Sequence, residues 1–217
     1  MGSLISYEQR LVKAKGLNKL AKPSEEKVKE YLFSDEYQNL SFLLEIQKLE
    51  CPENPVLFYP ACGVDVLMPL KYVEILFPRL RNITFIFNDV DNNLGLIKTV
   101  LDDVGISFKS KKNSLQFYWN GILIGLKFVQ GNIFQTIRHI PSFDIYFERA
   151  FRIMKDEHPE YEQQIYQKLN PKGILISDSG FQHLPLEKIN VSQELSSYKE
   201  MIMGIKKLFT YLLPSTT

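Results

Sequence analysis

Between Pro55 and Gly180 the apolar and polar positions follow one order three times. A short continuous apolar run comes first, then a polar turn holding a carboxylate, then a stretch of helical period. The runs are VLFYP (Val56–Pro60), ITFIF (residues 83–87) and GILIS (residues 173–177). The turns after them are Cys62-Gly63-Val64-Asp65, Asn88-Asp89-Val90-Asp91 and Asp178-Ser179-Gly180. Unbroken apolar strands are those buried on both faces, so the pattern predicts an α/β fold in three layers: a mostly parallel sheet with helices on both sides. Such sheets bind ligands beyond the carboxyl ends of their strands. The polar turns fall at those ends.

The remaining segments fill in around this frame. Leu94, Ile97, Val100, Leu101 and Val104 keep helical period, and Gly105 suits the left-handed residue that ends such a helix. Leu115, Phe117 and Trp119 then alternate up to Asn120-Gly121, with a second apolar arm at residues 122–129. Asn-Gly tolerates positive φ at both positions, so this predicts an antiparallel hairpin inserted near the third strand. A fourth core strand is expected at residues 143–147, ending at Glu148-Arg149-Ala150-Phe151, and a helix at 159–169. Residues 4–50 read as helical, with Ser24 as a cap and Ser34 before Asp35 and Glu36 as another start. The chain therefore divides into a helical N-terminal extension or lid (1–52) and an α/β domain (53–217). After Gly180 the pattern weakens. Residues 208–213 read as a terminal strand, with a helix continued from Leu195 as the alternative.

Bulk composition narrows the partners. The 217 residues are 45% hydrophobic and 24% charged, enough for one large core. With 26 basic and 25 acidic side chains the net charge is +1, so no global field favours nucleic acid or an anionic membrane. The run Lys109-Ser110-Lys111-Lys112 reads as a solvated loop in preference to a basic patch. Two cysteines, Cys51 and Cys62, do not make a disulfide framework and point to a reducing compartment. No apolar run reaches the roughly 18 residues of a membrane span. The expectation is a soluble, cytoplasmic protein taking a small-molecule substrate, with its oligomeric state open.

On these strings the chain resembles the class I S-adenosylmethionine-dependent methyltransferases, a Rossmann-like family. The resemblance runs from Val56 to Gly180. Its best piece joins Phe143-Asp144-Ile145-Tyr146 to the later Leu169-Asn170-Pro171-Lys172-Gly173 turn and the GILIS strand. The glycine-rich loop is degenerate: in Tyr59-Pro60-Ala61-Cys62-Gly63-Val64-Asp65, Gly63 matches the middle glycine, Ala61 and Asp65 replace the outer two, and Tyr59 replaces an acid. The resemblance implies S-adenosylmethionine as cofactor and S-adenosylhomocysteine as product. It implies cofactor contacts from Tyr59, Ala61, Gly63, Asp65, Asp89, Asn132 and Ile133. Asp89 would hold the ribose hydroxyls, with Asp91 as the competitor, because a carboxylate accepts two hydroxyl hydrogen bonds. Asp65 would hold the ammonium group of the methionine part, or cap the following helix. Asn132 would face the adenine amino group, and Ile133 would line the adenine pocket or the core.

For chemistry, Glu148 and Arg149 follow strand four, where such enzymes carry substrate groups. Glu148 reads as a base or as an orienter of a substrate amine, and Arg149 as a partner of a substrate carboxylate or phosphate. The plain alternative is a surface ion pair. The histidines His139, His158 and His183 show no metal spacing, although His183 follows strand five. The reading is a methyltransferase acting on a small acceptor. The alternatives are a methyltransferase-like binding protein without catalysis and, last, a nicotinamide oxidoreductase, which lacks its spaced glycines.

Overall fold

A computed structural model describes residues 7–207. One nine-stranded sheet dominates, in the order β3-β4-β5-β2-β1-β6-β7-β9-β8. The strands are β1 (Val56–Pro60), β2 (Asn82–Asp89), β3 (Phe108–Lys111), β4 (Ser114–Trp119), β5 (Ile122–Gln130), β6 (Phe143–Glu148), β7 (Leu169–Ser177), β8 (Leu186–Ile189) and β9 (Ile202–Lys206). Strands β5, β2, β1, β6 and β7 run parallel. Antiparallel β4 and β3 extend one side, and antiparallel β9 separates β7 from β8 on the other.

Helices cover both faces, giving a Rossmann-like three-layer fold. On one face α3 (Leu67–Leu76) and α4 (Leu94–Asp103) bury Leu70, Val73, Ile97 and Leu101 against Leu57, Phe85, Phe87, Phe117 and Trp119. On the other, α5 (Ile133–Thr136) and α7 (Tyr161–Lys168) bury Ile133, Tyr161 and Ile165 against Phe58, Ile86 and Tyr146. Alternate residues of one strand thus serve two separate cores, which is why the strands read as unbroken apolar runs. A short α6 (Arg152–Asp156) follows β6.

The hairpin stands where Asn120-Gly121 places it: φ is +45° and +85° at those residues, and Trp119 pairs with Ile122. Its second arm is itself the parallel neighbour of β2. Beyond it lies β3, a strand that the charged run did not announce, joined to β4 through Lys112 at φ +49°. After α4, Gly105 takes φ +84°, as its position predicts, and Ile106 N–H bonds back to Leu101 O at 2.8 Å.

The N-terminal extension is much less helical than its sequence suggests. Only α1 (Glu25–Tyr31), α2 (Ser34–Asn39) and a 3-10 stretch (Leu40–Glu45) form, and residues 7–23 run as an irregular strap. Leu11 and Leu20 are almost fully exposed, so no buried apolar face selects a helix there. The strap is held by Arg10 N–H to Thr99 Oγ1 and by Lys15 and Gly16 N–H to Phe108 O. Ser24 caps α1 as expected, accepting from Lys27 N–H. Residues 208–213 lie outside the described residues; β9 already occupies the place beside β7, and a 3-10 turn (Gln193–Leu195) stands where a helix was the alternative. Among the described residues no helix is long and apolar enough to cross a membrane.

Candidate active site at the carboxyl ends of the strands

The chain leaves β1 towards β2 on one side and returns to β6 on the other, so the switch point of the sheet lies between β1 and β6. Five strand ends converge there. The turn after β1 places Ala61 at φ +46° and Gly63 at φ +52°. A Cβ built on Gly63 would meet no atom within 4 Å, so the space over this backbone is open. Asp89, ending β2, reaches across to this turn: its Oδ2 accepts Gly63 N–H at 2.8 Å, and its Oδ1 accepts Asp91 N–H at 3.0 Å. Two backbone donors fix the carboxylate and leave further acceptor directions free.

Asp65 serves two elements at once. Its Oδ1 accepts Met68 N–H at 3.1 Å and so caps α3, while Oδ2 accepts the Tyr59 hydroxyl at 3.0 Å and Arg149 Nη1 at 3.3 Å. Tyr59 stands buried and edge-on to Phe87 and Phe147, and burial raises its hydroxyl pKa. Arg149 continues from Asp65 to Glu36 of α2, tying the N-terminal extension over the strand ends. Burial opposes its charge, but Asp65, Tyr59 and Glu36 outweigh it, so its pKa is raised.

Asn132 and Ile133 sit at the end of β5 in different roles. Asn132 Oδ1 caps α5 by accepting Phe134 N–H at 3.0 Å. Ile133 packs in the core with Ile86 and Phe58. A residue that sequence reasoning passed over ties these turns together: buried Asn88 donates from Nδ2 to Val129 O at 2.8 Å and Gly131 O at 3.0 Å. Its position, one before Asp89, was the only available signal.

Glu148 does not reach this crevice. It is fully buried, and its oxygens accept from Lys155 Nζ, the Tyr146 hydroxyl and, at 2.6 Å, Ser177 Oγ. Burial raises its pKa despite these partners. Glu148 and Arg149 therefore make separate networks, one buried beneath the ends of β6 and β7 and one joining the β1 turn to α2, in place of a surface pair. Alternation along an extended chain sends neighbouring side chains to opposite sides. Behind Arg149, Asp178 at the end of β7 accepts Ala150 N–H at 2.7 Å through Oδ2, while its buried Oδ1 has no protein partner. Cys62 is buried in the β1 turn, where burial raises its thiol pKa well above 9.0. His183 is exposed. Trp119 lies at the opposite, amino end of the sheet, fully buried, with Nε1 donating to Glu74 at 3.0 Å, so the hairpin does not bring it to the site.

Beside the crevice a recess of about 350 Å³ is lined by Glu36, Met68, Tyr72, Arg149, Ser196 and Lys199, among others. Arg149 borders both spaces.

No family model matches the chain, and no curated protein matches it. Solved structures do. A precorrin-6y C5,15-methyltransferase from Geobacter metallireducens aligns at 15% identity over 65% of this chain and 60% of its own, with a TM-score of 0.38. PKMT2 from Rickettsia typhi, in complex with AdoHcy, aligns at 13% identity over 67% and 24%, with a TM-score of 0.39. A Listeria monocytogenes protein described as a class I S-adenosylmethionine-dependent methyltransferase aligns at 13% identity over 84% and 62%, with a TM-score of 0.43. The chain spans about three-fifths or less of the length of these structures.

Proposed function

We propose that the crevice between β1 and β6 binds S-adenosylmethionine and that the protein transfers its methyl group to a small polar acceptor. The observation that carries this reading is the bond from Gly63 N–H to Asp89. It locks the acid ending β2 onto an open, glycine-bearing turn at the switch point. A carboxylate fixed there by two backbone donors is preorganised to accept ribose hydroxyls. The open backbone over Gly63 admits close approach of a ligand. Asp65 and Arg149, adjacent and oppositely charged, match the ammonium and carboxylate of an amino-acid moiety. They now neutralise one another, so a zwitterion exchanges one ion pair for two. Asn132 retains a second lone pair on Oδ1 for an amino group, and Ala61 and Tyr59 shape the turn.

When bound, the cofactor supplies a methyl group on a sulfonium. The chain's share is to orient the acceptor and exclude water. The 350 Å³ recess suits a small molecule. Arg149 and Lys199 line it beside their ion-pair partners Glu36 and Glu194, so it presents charges of both signs to a polar acceptor, and Tyr72 lines the same wall. Glu148 enters as a positioning residue: it holds Lys155 and the β7 turn, and a base role would require that buried network to open.

A second reading, ligand binding without turnover, is favoured by one observation: the carboxylate placed for proton abstraction by its position in the sequence is internal. Release of S-adenosylhomocysteine from S-adenosylmethionine, measured against a panel of small amines, phenols and carboxylic acids, separates the two. Acceptor-dependent release supports the transferase. Binding of both nucleosides with no release across the panel supports the binding protein.

A further inference from the structure

The β5-β4-β3 flank of the sheet, together with the Thr84 end of β2, is covered on one face only. Phe85, Leu126, Phe117 and Phe108 are buried beneath α3 and α4, whereas Thr84, Gln116, Lys109 and Lys127 on the opposite face are exposed. The connection from β5 to β6 would ordinarily lay a helix on that face. Here it provides only the single turn α5 and the 3-10 turn Ile137–His139, which pack inward on Phe58 and Ile86. The result is a trough of about 760 Å³ with Thr84 and Gly125 on its floor.

Register gives the trough a single sign. Thr84, Gly125, Gln116 and Lys109 form one cross-strand row; Ile86, Lys127, Ser114 and Lys111 form the next. Neither row contains a carboxylate. The run that reads as a solvated loop is therefore half of a basic face, since Lys109 and Lys111 lie on β3 with their side chains on the side of Lys127. Lysines on an edge strand protect it from pairing, which would account for Lys109 and Lys111. It does not account for Lys127, two strands inside the edge, and the strap already occupies that edge at Phe108 O. Tyr118 lies on the same face as Gln116, half-buried, one row away.

We propose that this bare face binds single-stranded nucleic acid. Lys109 and Lys111 are about 7 Å apart along their strand, and Lys127 stands about 10 Å across the sheet, a spacing on which an extended phosphate backbone can lie. The floor, free of large side chains at Gly125 and Thr84, lets the strand approach, and Tyr118 offers a ring for base stacking. The near-zero net charge of the chain does not oppose this, because affinity follows the local array of cations. The inference is independent of the cofactor reading, since the trough and the crevice share no residue.

Fluorescence anisotropy with labelled twelve-residue oligouridylate and oligothymidylate at about 50 mM salt tests it, with heparin and polyglutamate as competitors. The expected result is binding whose logarithm falls with log salt at a slope of about −2, three phosphates at the single-strand value. The K109Q/K111Q/K127Q variant should weaken it roughly tenfold or more, with the melting temperature and S-adenosylmethionine titration unchanged. Lys127→Gln alone, at an exposed position, should weaken it in the same direction. No anisotropy rise, unchanged affinity in these variants, or displacement by polyglutamate at equal charge concentration would overturn the assignment.

Discussion

Asp89 Oδ2 accepts the backbone N–H of Gly63 at 2.8 Å, so the acid that ends β2 is built into the turn that ends β1. Their strands are neighbours in register, with Pro60 opposite Asn88. If that carboxylate also receives the ribose, Asp89→Ala weakens S-adenosylmethionine binding by about 1.5–3 kcal/mol, the range for hydrogen bonds to a charged group. Calorimetry on the folded variant reads this directly. Unchanged affinity would reduce Asp89 to a turn residue.

The pair Lys155–Glu148 should behave as a buried ion pair whose halves depend on each other. Lys155 also donates to Ser179 O at 2.6 Å and lies over the Phe181 ring. Lys155→Ala strands a buried carboxylate and should cost about 3–5 kcal/mol in urea unfolding. Adding Glu148→Gln should recover part of that loss, so the double variant is more stable than the sum of the singles implies.

Gly180 takes φ +77°, and a Cβ there would come within 2.3 Å of Glu162 Oε1 and 2.8 Å of Lys155 Nζ. Gly180→Ala should therefore destabilise by about 1–3 kcal/mol through backbone strain alone, with the clash added. A melting temperature equal to wild type would mean that the β7 turn can be rebuilt.

Asp178 gives a pH signature. Burial raises its pKa above 3.8 despite the bond from Ala150 N–H. The native state then holds its proton at pH values where the unfolded chain has lost it. Its contribution to stability is greatest below the ordinary carboxylate value and is lost as pH rises through the raised one. Asp178→Asn mimics the protonated form and keeps an oxygen to accept Ala150 N–H. Wild type and variant should melt alike at low pH, with the variant gaining as pH approaches 7. A gap that narrows with rising pH would contradict this.

How much of this was legible in the sequence follows from where the physics was local. β1, the second half of β2 and the GILIS part of β7 announce themselves because both faces are buried there, and the Asn120-Gly121 turn because its backbone requires those residues. β3 escaped because one face is wet: only Phe108 of its four residues is buried. β8 and β9 are short and follow a long irregular segment. The strap misled in the opposite sense, since its leucines Leu11 and Leu20 have no surface to bury against. The placement of Gly63, Asp65 and Asp89 at or just beyond the ends of their strands was readable because strand ends fix it. The fate of Glu148 was not, because Lys155, Ser177, Tyr146 and Tyr161 come from four different elements and only the fold assembles them. Of the two roles expected for Asp65, the structure shows the helix-capping bond to Met68 N–H, and it adds an ion pair with Arg149.

Calorimetric titration with S-adenosylmethionine and S-adenosylhomocysteine, with NAD as control, puts the crevice itself to the test. Micromolar, one-to-one binding of the first two and none of NAD is the expected result. Heat from NAD alone, or from none of the three, would contradict it and leave Asp89 and Gly63 as the two ends of a structural turn.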